Sequence, residues 1–132
     1  MKTIALIEKG KDGTFGIYTP DLEHTIIGEG QGVEEAKMDF ENSLKEMLAS
    51  YTDETMPDEL RDLEVQYKYD LSSLFDYLNF VNVSQFAKKA GISSSLMRQY
   101  KTGNTYVSEK QIGKIEKTLH KIGHELTAIK LI

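Results

Sequence analysis

The sequence predicts an α+β protein built from two domains, residues 1–70 and 71–132. Short β-branched and alternating apolar runs mark the first domain, whereas apolar residues at helical steps of three and four mark the second. The charge also divides at Asp70, because residues 1–70 hold 7 Lys and Arg against 17 Asp and Glu, and residues 71–132 hold 9 against 4. The formal net charge of -5 thus combines a domain of -10 with one of +5, which suggests two oppositely charged partners.

The composition is that of an ordinary globular chain, with 39% hydrophobic and 28% charged residues. The absence of cysteine excludes disulfides, Cys-ligated zinc, iron–sulfur clusters and a thiol nucleophile. The first apolar run, residues 4–7, is too short for a signal peptide or a membrane span. We therefore expect the chain to stay in the cytoplasm.

The first domain begins with three predicted strands that form a meander. Residues 3–7 are apolar and β-branched, and the Asp12–Gly13 pair that follows is typical of a tight turn. Alternation predicts the second strand over 14–19, ended by Pro20, which cannot donate to a strand ladder. A third short strand is predicted over 25–27.

A long amphipathic helix and a fourth strand complete a β-β-β-α-β unit. The helix is predicted over 33–51, and Glu34 and Glu35 in its first turn suit the helix dipole. The strand is predicted over 63–69, after an exposed acidic connection. The apolar stripe of the helix consists of Val33, Ala36, Phe40, Leu44, Met47, Leu48 and Tyr51.

Two features of this domain could be mistaken for chemical sites. The glycine-rich stretch 28–32 matches neither the dinucleotide nor the P-loop pattern and is surrounded by acids, so a simple turn is predicted there. A hydrolase could use carboxylates near strand ends, but no spaced motif links the acids in these places, so no catalytic residue and no metal site is predicted. These acids are Asp12, Asp21, Glu23 and Glu29.

The second domain is predicted to be all-α. Leu71, Leu74, Phe75 and Leu78 lie at helical spacing and predict a first helix that ends near Phe80. Residues 86–103 then predict a helix, a tight turn and a second helix. The pattern uses a small residue at Ala87, a left-handed glycine at Gly91, a cap at Ser93 or Ser94, and inward positions at Ile92, Met97 and Tyr100.

The second of these helices presents hydrogen-bond donors outward, which is what a helix needs to read DNA in the major groove. Arg98 is the predicted guanine reader, Gln99 the predicted adenine reader, and Ser94 or Ser95 can contact a base or a phosphate. The residues predicted to hold the DNA backbone are Lys101, Thr102, Asn104 and Lys110.

A third helix is predicted from a capping box and an apolar stripe. Ser108 and Gln111 form the box. The stripe consists of Ile112, Ile115, Leu119 and Ile122, and Gly123 is expected to end the helix, which would separate His120 from His124. Residues 126–132 predict either a terminal strand that pairs between two protomers or a strand or helix that packs on its own domain.

Two segments carry a resemblance to known families. The segment Phe86–Gly103 resembles the helix-turn-helix of Xre/Cro-type repressors. The first domain resembles the HicB family of type II toxin–antitoxin antitoxins through YTPDL at 18–22 and GQGVEEA at 30–36. The order of the two domains is itself typical of that family.

The resemblance implies both a fold and a function. It implies that the first domain adopts a partial ribonuclease-H-like fold without activity and blocks a HicA-like toxin, a small basic ribonuclease. The second domain would repress the chain's own operon by binding operator DNA as a homodimer or a higher even oligomer. No cofactor is implied, and no residue is assigned to the toxin contact. The alternative is a stand-alone transcriptional regulator whose first domain senses a ligand or retains hydrolase activity.

Overall fold

The computed structural model describes the backbone of residues 1–132 and every side chain except those of Ser73, Asp76 and Tyr77. The chain forms two compact units, Met1–Asp70 and Leu71–Ile132, and the boundary falls where the net charge changes sign. Strands and helices are both present, so the predicted α+β class is confirmed. None of the described helices is long and apolar enough to cross a membrane.

The first unit has the element order β-β-β-α-β. The strands lie side by side as β3-β2-β1-β4, with β1–β2 and β2–β3 antiparallel and β1–β4 parallel. The elements are β1 (Lys2–Lys9), β2 (Phe15–Tyr18), β3 (Ile27–Gly30), α1 (Val33–Ala49), a 3-10 helix (Asp58–Leu60) and β4 (Glu64–Tyr69).

The core of this unit lies between one face of the sheet and α1. The strand register places Ile7 beside Ile17 and Ala5 beside Tyr67. Phe40 of α1 is fully buried, and its ring meets Tyr67 edge-on at a centroid distance of 6.0 Å. The sheet and the helix therefore share one apolar layer, whose buried members are Ala5, Ile7, Ile17, Leu22, Ile26, Ala36, Phe40 and Leu60.

The glycine-rich stretch is not the predicted turn. Strand β3 covers Ile27–Gly30, so the third predicted strand is present but lies at 27–30 rather than 25–27, and the prediction of a turn at Gly28 and Gly30 is wrong. A Cβ atom on Gly28 would lie 2.4 Å from the backbone nitrogen of Phe40, and one on Gly30 would lie 2.6 Å from that of Ala36. Glycine is needed here because the helix backbone approaches the strand closely.

His24 and Glu59 form a hydrogen-bonded pair that joins the segment between β2 and β3 to the 3-10 helix. The Glu59 carboxylate accepts hydrogen bonds from the backbone N–H groups of Glu23 and His24, at 3.0 and 2.8 Å. The Nδ1 atom of His24 lies 2.5 Å from Glu59 Oε1, and the Tyr51 ring meets the imidazole edge-on. The hydrogen bond from the His24 ring, followed by the one from its backbone N–H, lowers the pKa of Glu59.

Glu59 should make the stability of the first unit depend on pH. A carboxyl group whose folded pKa lies below its unfolded value of about 4.5 stabilises the fold above that pH and loses its contribution as the pH falls further. We expect Glu59→Gln to lower the melting temperature at pH 7, with a difference from wild type that shrinks below pH 4.5. Thermal melts from pH 3 to 7 would measure this difference in melting temperature. Glu54→Gln is the control, because Glu54 is exposed. A difference that stays constant over this range would contradict the assignment.

The second unit is helical, with one two-residue strand. Its first helix ends at Tyr77 rather than near Phe80, because Leu78 leaves helical geometry and a turn follows before Asn82 caps the next helix. The elements are α2 (Ser72–Tyr77), α3 (Val83–Ala90), α4 (Ser94–Thr102), β5 (Val107–Ser108) and α5 (Glu109–Ala128).

The end of α5 differs from its prediction. Gly123 does not stop the helix, which continues to Ala128. One glycine costs a helix only about 1 kcal/mol relative to alanine, and the helical apolar spacing continues to Leu126. The predicted strand over 126–132 is therefore wrong. His120 and His124 now share one helix, but no group of three possible metal ligands occurs among the described side chains.

Candidate nucleic-acid interface

Helices α3 and α4 are joined by a short turn whose geometry depends on one glycine. Gly91 has φ +70°, in the left-handed region where glycine carries no Cβ penalty. This conformation lets the Ile92 N–H donate to the Ala87 carbonyl at 3.0 Å and ends α3. At the other end of α3, the Asn82 side chain accepts from the Gln85 N–H at 3.0 Å. Both ends of α3 are therefore closed by hydrogen bonds.

Both ends of helix α4 are also capped by hydrogen bonds. Of the two predicted caps, Ser93 is the one used, because its hydroxyl accepts from the Leu96 N–H at 3.1 Å. Gly103 has φ +79° at the C-terminal end, and the Asn104 N–H donates to the Gln99 carbonyl at 3.0 Å. These caps fix the length and direction of α4.

The apolar side of α4 is buried as predicted. Met97 is fully buried and Ile92 and Tyr100 nearly so. Burial raises the pKa of Tyr100 above its ordinary value of 10, against the opposing effect of a hydrogen bond with Gln111. Tyr100 therefore belongs to the buried side of α4 rather than to its exposed polar face.

The opposite side of α4 is polar and exposed. Ser95, Arg98, Gln99 and Lys101 are exposed, whereas Ser94 is half-buried. Among the described side chains, neither Arg98 nor Lys101 has an ion-pair partner. The two cations are therefore available to an anionic ligand.

A groove of about 480 Å³ runs between this face and the start of α3. Arg98, Lys101 and Thr102 line it from α4, so the structure brings together three of the predicted residues. Asn82 and Ser84 line the other side, and the sequence prediction did not include them. The Asn82–Gln85 capping spacing could have indicated that a helix begins here, next to α4.

Internal hydrogen bonds limit two of the predicted contacts. The Thr102 hydroxyl donates to the Gln99 carbonyl at 3.2 Å, so it must give up this bond before it can donate to a phosphate. The Thr105 hydroxyl donates to Gln99 Oε1 at 3.1 Å, which orients the amide and leaves one lone pair of Oε1 and the whole NH₂ group for a base.

Two other predicted residues lie away from the groove. Asn104 is exposed directly after the C-terminal cap of α4. Lys110 is exposed in the first turn of α5, on a different helix from the base readers. Their positions suit contacts at the edge of a ligand that lies along α4, rather than contacts inside the groove.

Two glycine substitutions should have opposite effects on the second unit. Gly91→Ala should lower the free energy of unfolding by about 1 kcal/mol, because alanine is disfavoured at positive φ. Gly113→Ala should raise it by about 0.5–1 kcal/mol, because this residue lies inside α5 with open space around its Cβ position. Urea unfolding followed by circular dichroism would measure both changes. Shifts of the same sign would contradict the assigned turn.

Helix α4 therefore combines capped ends, a buried apolar side and an exposed donor-rich side that carries two cations, Arg98 and Lys101. Such a face can meet a polyanion with its cations and present amide and hydroxyl groups to base edges. Comparison of this chain with protein-family models, with curated proteins and with solved structures finds no match.

Proposed function

We propose that this chain is a HicB-like antitoxin that acts in the cytoplasm without a catalytic step of its own. Its second unit would be a helix-turn-helix that represses its own operon, and its first unit would bind and neutralise a small basic ribonuclease of the HicA type. The observation that carries the proposal is the exposed donor-rich face of α4, where Arg98 and Lys101 line the groove and have no ion-pair partner among the side chains that the structure describes.

In the proposed complex, α4 enters the major groove of operator DNA. Arg98 pairs with guanine through two parallel hydrogen bonds, and Gln99 donates to adenine from its free NH₂ group. Lys101 and Asn104 hold the DNA backbone, with Lys110 at the edge. Ser95 is better exposed than Ser94 for a base or phosphate contact. Because operators of this kind contain two half-sites, the chain acts as a homodimer or a higher even oligomer.

The charge of each unit supports this division of roles. A unit of +5 attracts the phosphate backbone, and a unit of -10 attracts a basic protein. The β-β-β-α-β order of the first unit, with β4 parallel to β1, supports its comparison with a partial ribonuclease-H-like fold.

The positions of the carboxylates favour binding over hydrolysis in the first unit. Asp12 lies in the turn before β2, where it accepts hydrogen bonds from Thr14, whereas Asp21 and Glu23 follow β2. Asp12 therefore lies at the opposite end of the strand from Asp21 and Glu23, about 10 Å away or more, which is too far for Asp12 to form a catalytic pair with either of them. A ligand-sensing or hydrolytic first unit has no comparable support.

The antitoxin role can be tested by co-expression in bacteria. The proposal predicts that a short basic protein is encoded beside this chain; that protein should arrest growth, and the full chain expressed from an inducible promoter should restore it. Arg98→Ala should restore growth equally well, because Arg98 belongs to the DNA-binding unit. Arrest that persists with a soluble, folded chain would contradict the antitoxin role and favour a stand-alone regulator.

A further inference from the structure

Helix α5 carries two histidines that lie four residues apart. Because α5 continues through Gly123 to Ala128, His120 and His124 belong to one unbroken helix. Residues at this spacing are neighbours on the helix surface, with Cβ atoms about 5–6 Å apart. Both histidines are exposed, and neither has an ion-pair partner among the described side chains. The two imidazole rings can therefore reach one shared ligand.

The pair lies on the side of α5 that faces away from the core. With about 3.6 residues per turn, the buried residues Ile115 and Thr118 lie on the opposite side of the helix from the two histidines. A ligand bound between His120 and His124 would therefore displace water rather than packed side chains. Binding there requires no rearrangement of the core.

The surroundings of His120 leave room for a small cation. His120 lines a shallow recess together with Gly113, Glu116 and Lys117. Gly113 contributes no side chain, and the charges of Glu116 and Lys117 oppose each other. The neighbouring residues of this recess therefore neither fill the space beside the ring nor carry a net charge that would repel a cation.

The chemistry of the pair suits a transition-metal ion. Neutral imidazole is the commonest metal ligand in proteins, and its nitrogen lies about 2.0–2.1 Å from a bound zinc ion. Two histidines four residues apart on one helix face are a spacing that binds zinc in metalloproteins. Two rings at this spacing can therefore hold one ion between them.

The composition of the chain makes this pair the available one. The chain has three histidines and no cysteine, and the third histidine, His24, directs its Nδ1 atom to Glu59 Oε1 at 2.5 Å. Among the described side chains, no group of three possible metal ligands occurs, so water must fill the other positions around the ion. The arrangement is thus an open two-histidine site, unlike a closed structural zinc site with four protein ligands.

We propose that His120 and His124 bind one divalent transition-metal ion of the nickel, copper and zinc group, which imidazole ligands favour. The bound ion links two successive turns of α5 across Gly123, a residue of low helix propensity, and so stabilises the end of the helix. The site is independent of the proposed function, because neither histidine is one of the predicted DNA contacts.

The metal site is tested by calorimetric titration of the full chain with Ni²⁺ alone, after a chelator has removed any bound metal. One ion per chain should bind, and Mg²⁺, which prefers oxygen ligands, should not compete with it. His124→Gln should weaken Ni²⁺ binding at least about tenfold, because the second ligand of a pair acts at a high effective concentration. His24→Gln keeps the pair and should leave the affinity unchanged.

Two double variants test the spacing, because each keeps two histidines in α5. Glu116→His with His124→Gln moves the pair to positions 116 and 120, again four apart, and should bind Ni²⁺ about as tightly as the wild type. Lys121→His with His124→Gln places the rings on adjacent residues that do not face each other, and should bind at least about tenfold more weakly. A wild type that binds no Ni²⁺, or an adjacent pair that binds as tightly as the wild type, would overturn the proposal.

The effect of the ion on α5 is measured by amide hydrogen exchange of the full chain. Exchange of residues 121–128 should slow when Ni²⁺ is added, because the ion restrains local opening of the helix end. The same residues of the His124→Gln variant should exchange at the same rate with and without Ni²⁺. Wild-type exchange that does not change on Ni²⁺ binding would contradict the stabilisation of α5.

Discussion

A valine in place of Gly28 is expected to lower the free energy of unfolding of the first unit by about 3 kcal/mol or more. Even a Cβ atom would lie 2.4 Å from the backbone nitrogen of Phe40 and 2.6 Å from its Cα. Overpacking a core commonly costs about 1–3 kcal/mol, and here the obstacle is helix backbone, which cannot rotate away. With a total stability of about 5–15 kcal/mol for a typical domain, this one change should remove much of the stability of the unit.

The neighbouring strand provides a matched control for this prediction. Gly16 lies in β2, pairs with Glu29 of β3, and has nothing within 4 Å of its Cβ position. Gly16→Val should therefore be neutral or stabilising, because valine favours strands. Urea unfolding followed by circular dichroism and tyrosine fluorescence would measure both variants. Equal destabilisation by the two changes would contradict the close packing of α1 on β3.

Arg98→Ala is expected to weaken specific DNA binding by about 1–3 kcal/mol and to relax the preference at one base pair. Arg98 is exposed on α4 and has no ion-pair partner among the described side chains, so its loss should not disturb the fold. Gel-shift titration with a set of single-base operator variants would measure both effects. Unchanged operator binding would remove Arg98 from the reading face.

Arg98→Lys separates base reading from charge. Lysine keeps the positive charge but lacks the fork that pairs with guanine in two parallel bonds. We therefore expect Arg98→Lys to lose most of the base preference while it retains binding to unrelated DNA. Full base preference in the lysine variant would contradict a guanine contact that depends on the two parallel bonds of arginine.

Much of the fold could be predicted from local patterns. The turn at Asp12–Gly13, the stripe that contains Ala36 and Phe40, and the caps at Ser93 and Ser108 each depend on residues close together in the chain. The role of Gly28 could not be predicted, because it arises from contact with Phe40, twelve residues away in another element. A glycine-rich stretch can form a turn, or it can form a strand on which a helix packs closely, and the local sequence does not distinguish the two.

The end of α5 was also not predictable from a single glycine. The sequence predicts that Gly123 ends the helix, as glycine often does, but a glycine in that role commonly has a positive φ, which Gly91 and Gly103 have and Gly123 does not. In the sequence, only the apolar spacing that continues through Leu126 distinguishes a glycine inside a helix from a glycine that ends one. The predicted site residues that line the groove all lie on α4, whereas the groove is also lined by Asn82, which caps α3, and by Ser84 of α3, whose position beside α4 depends on tertiary packing.

We propose that the basic unit recognises a specific DNA sequence. The most direct measurement compares the affinity of the full chain for the duplex upstream of its own coding region with that for a shuffled duplex of equal length, at two salt concentrations. We predict about a thousandfold or greater preference for the upstream duplex and affinity that falls as salt rises. Equal affinity for the two duplexes, or no binding to either at low salt, would contradict the account.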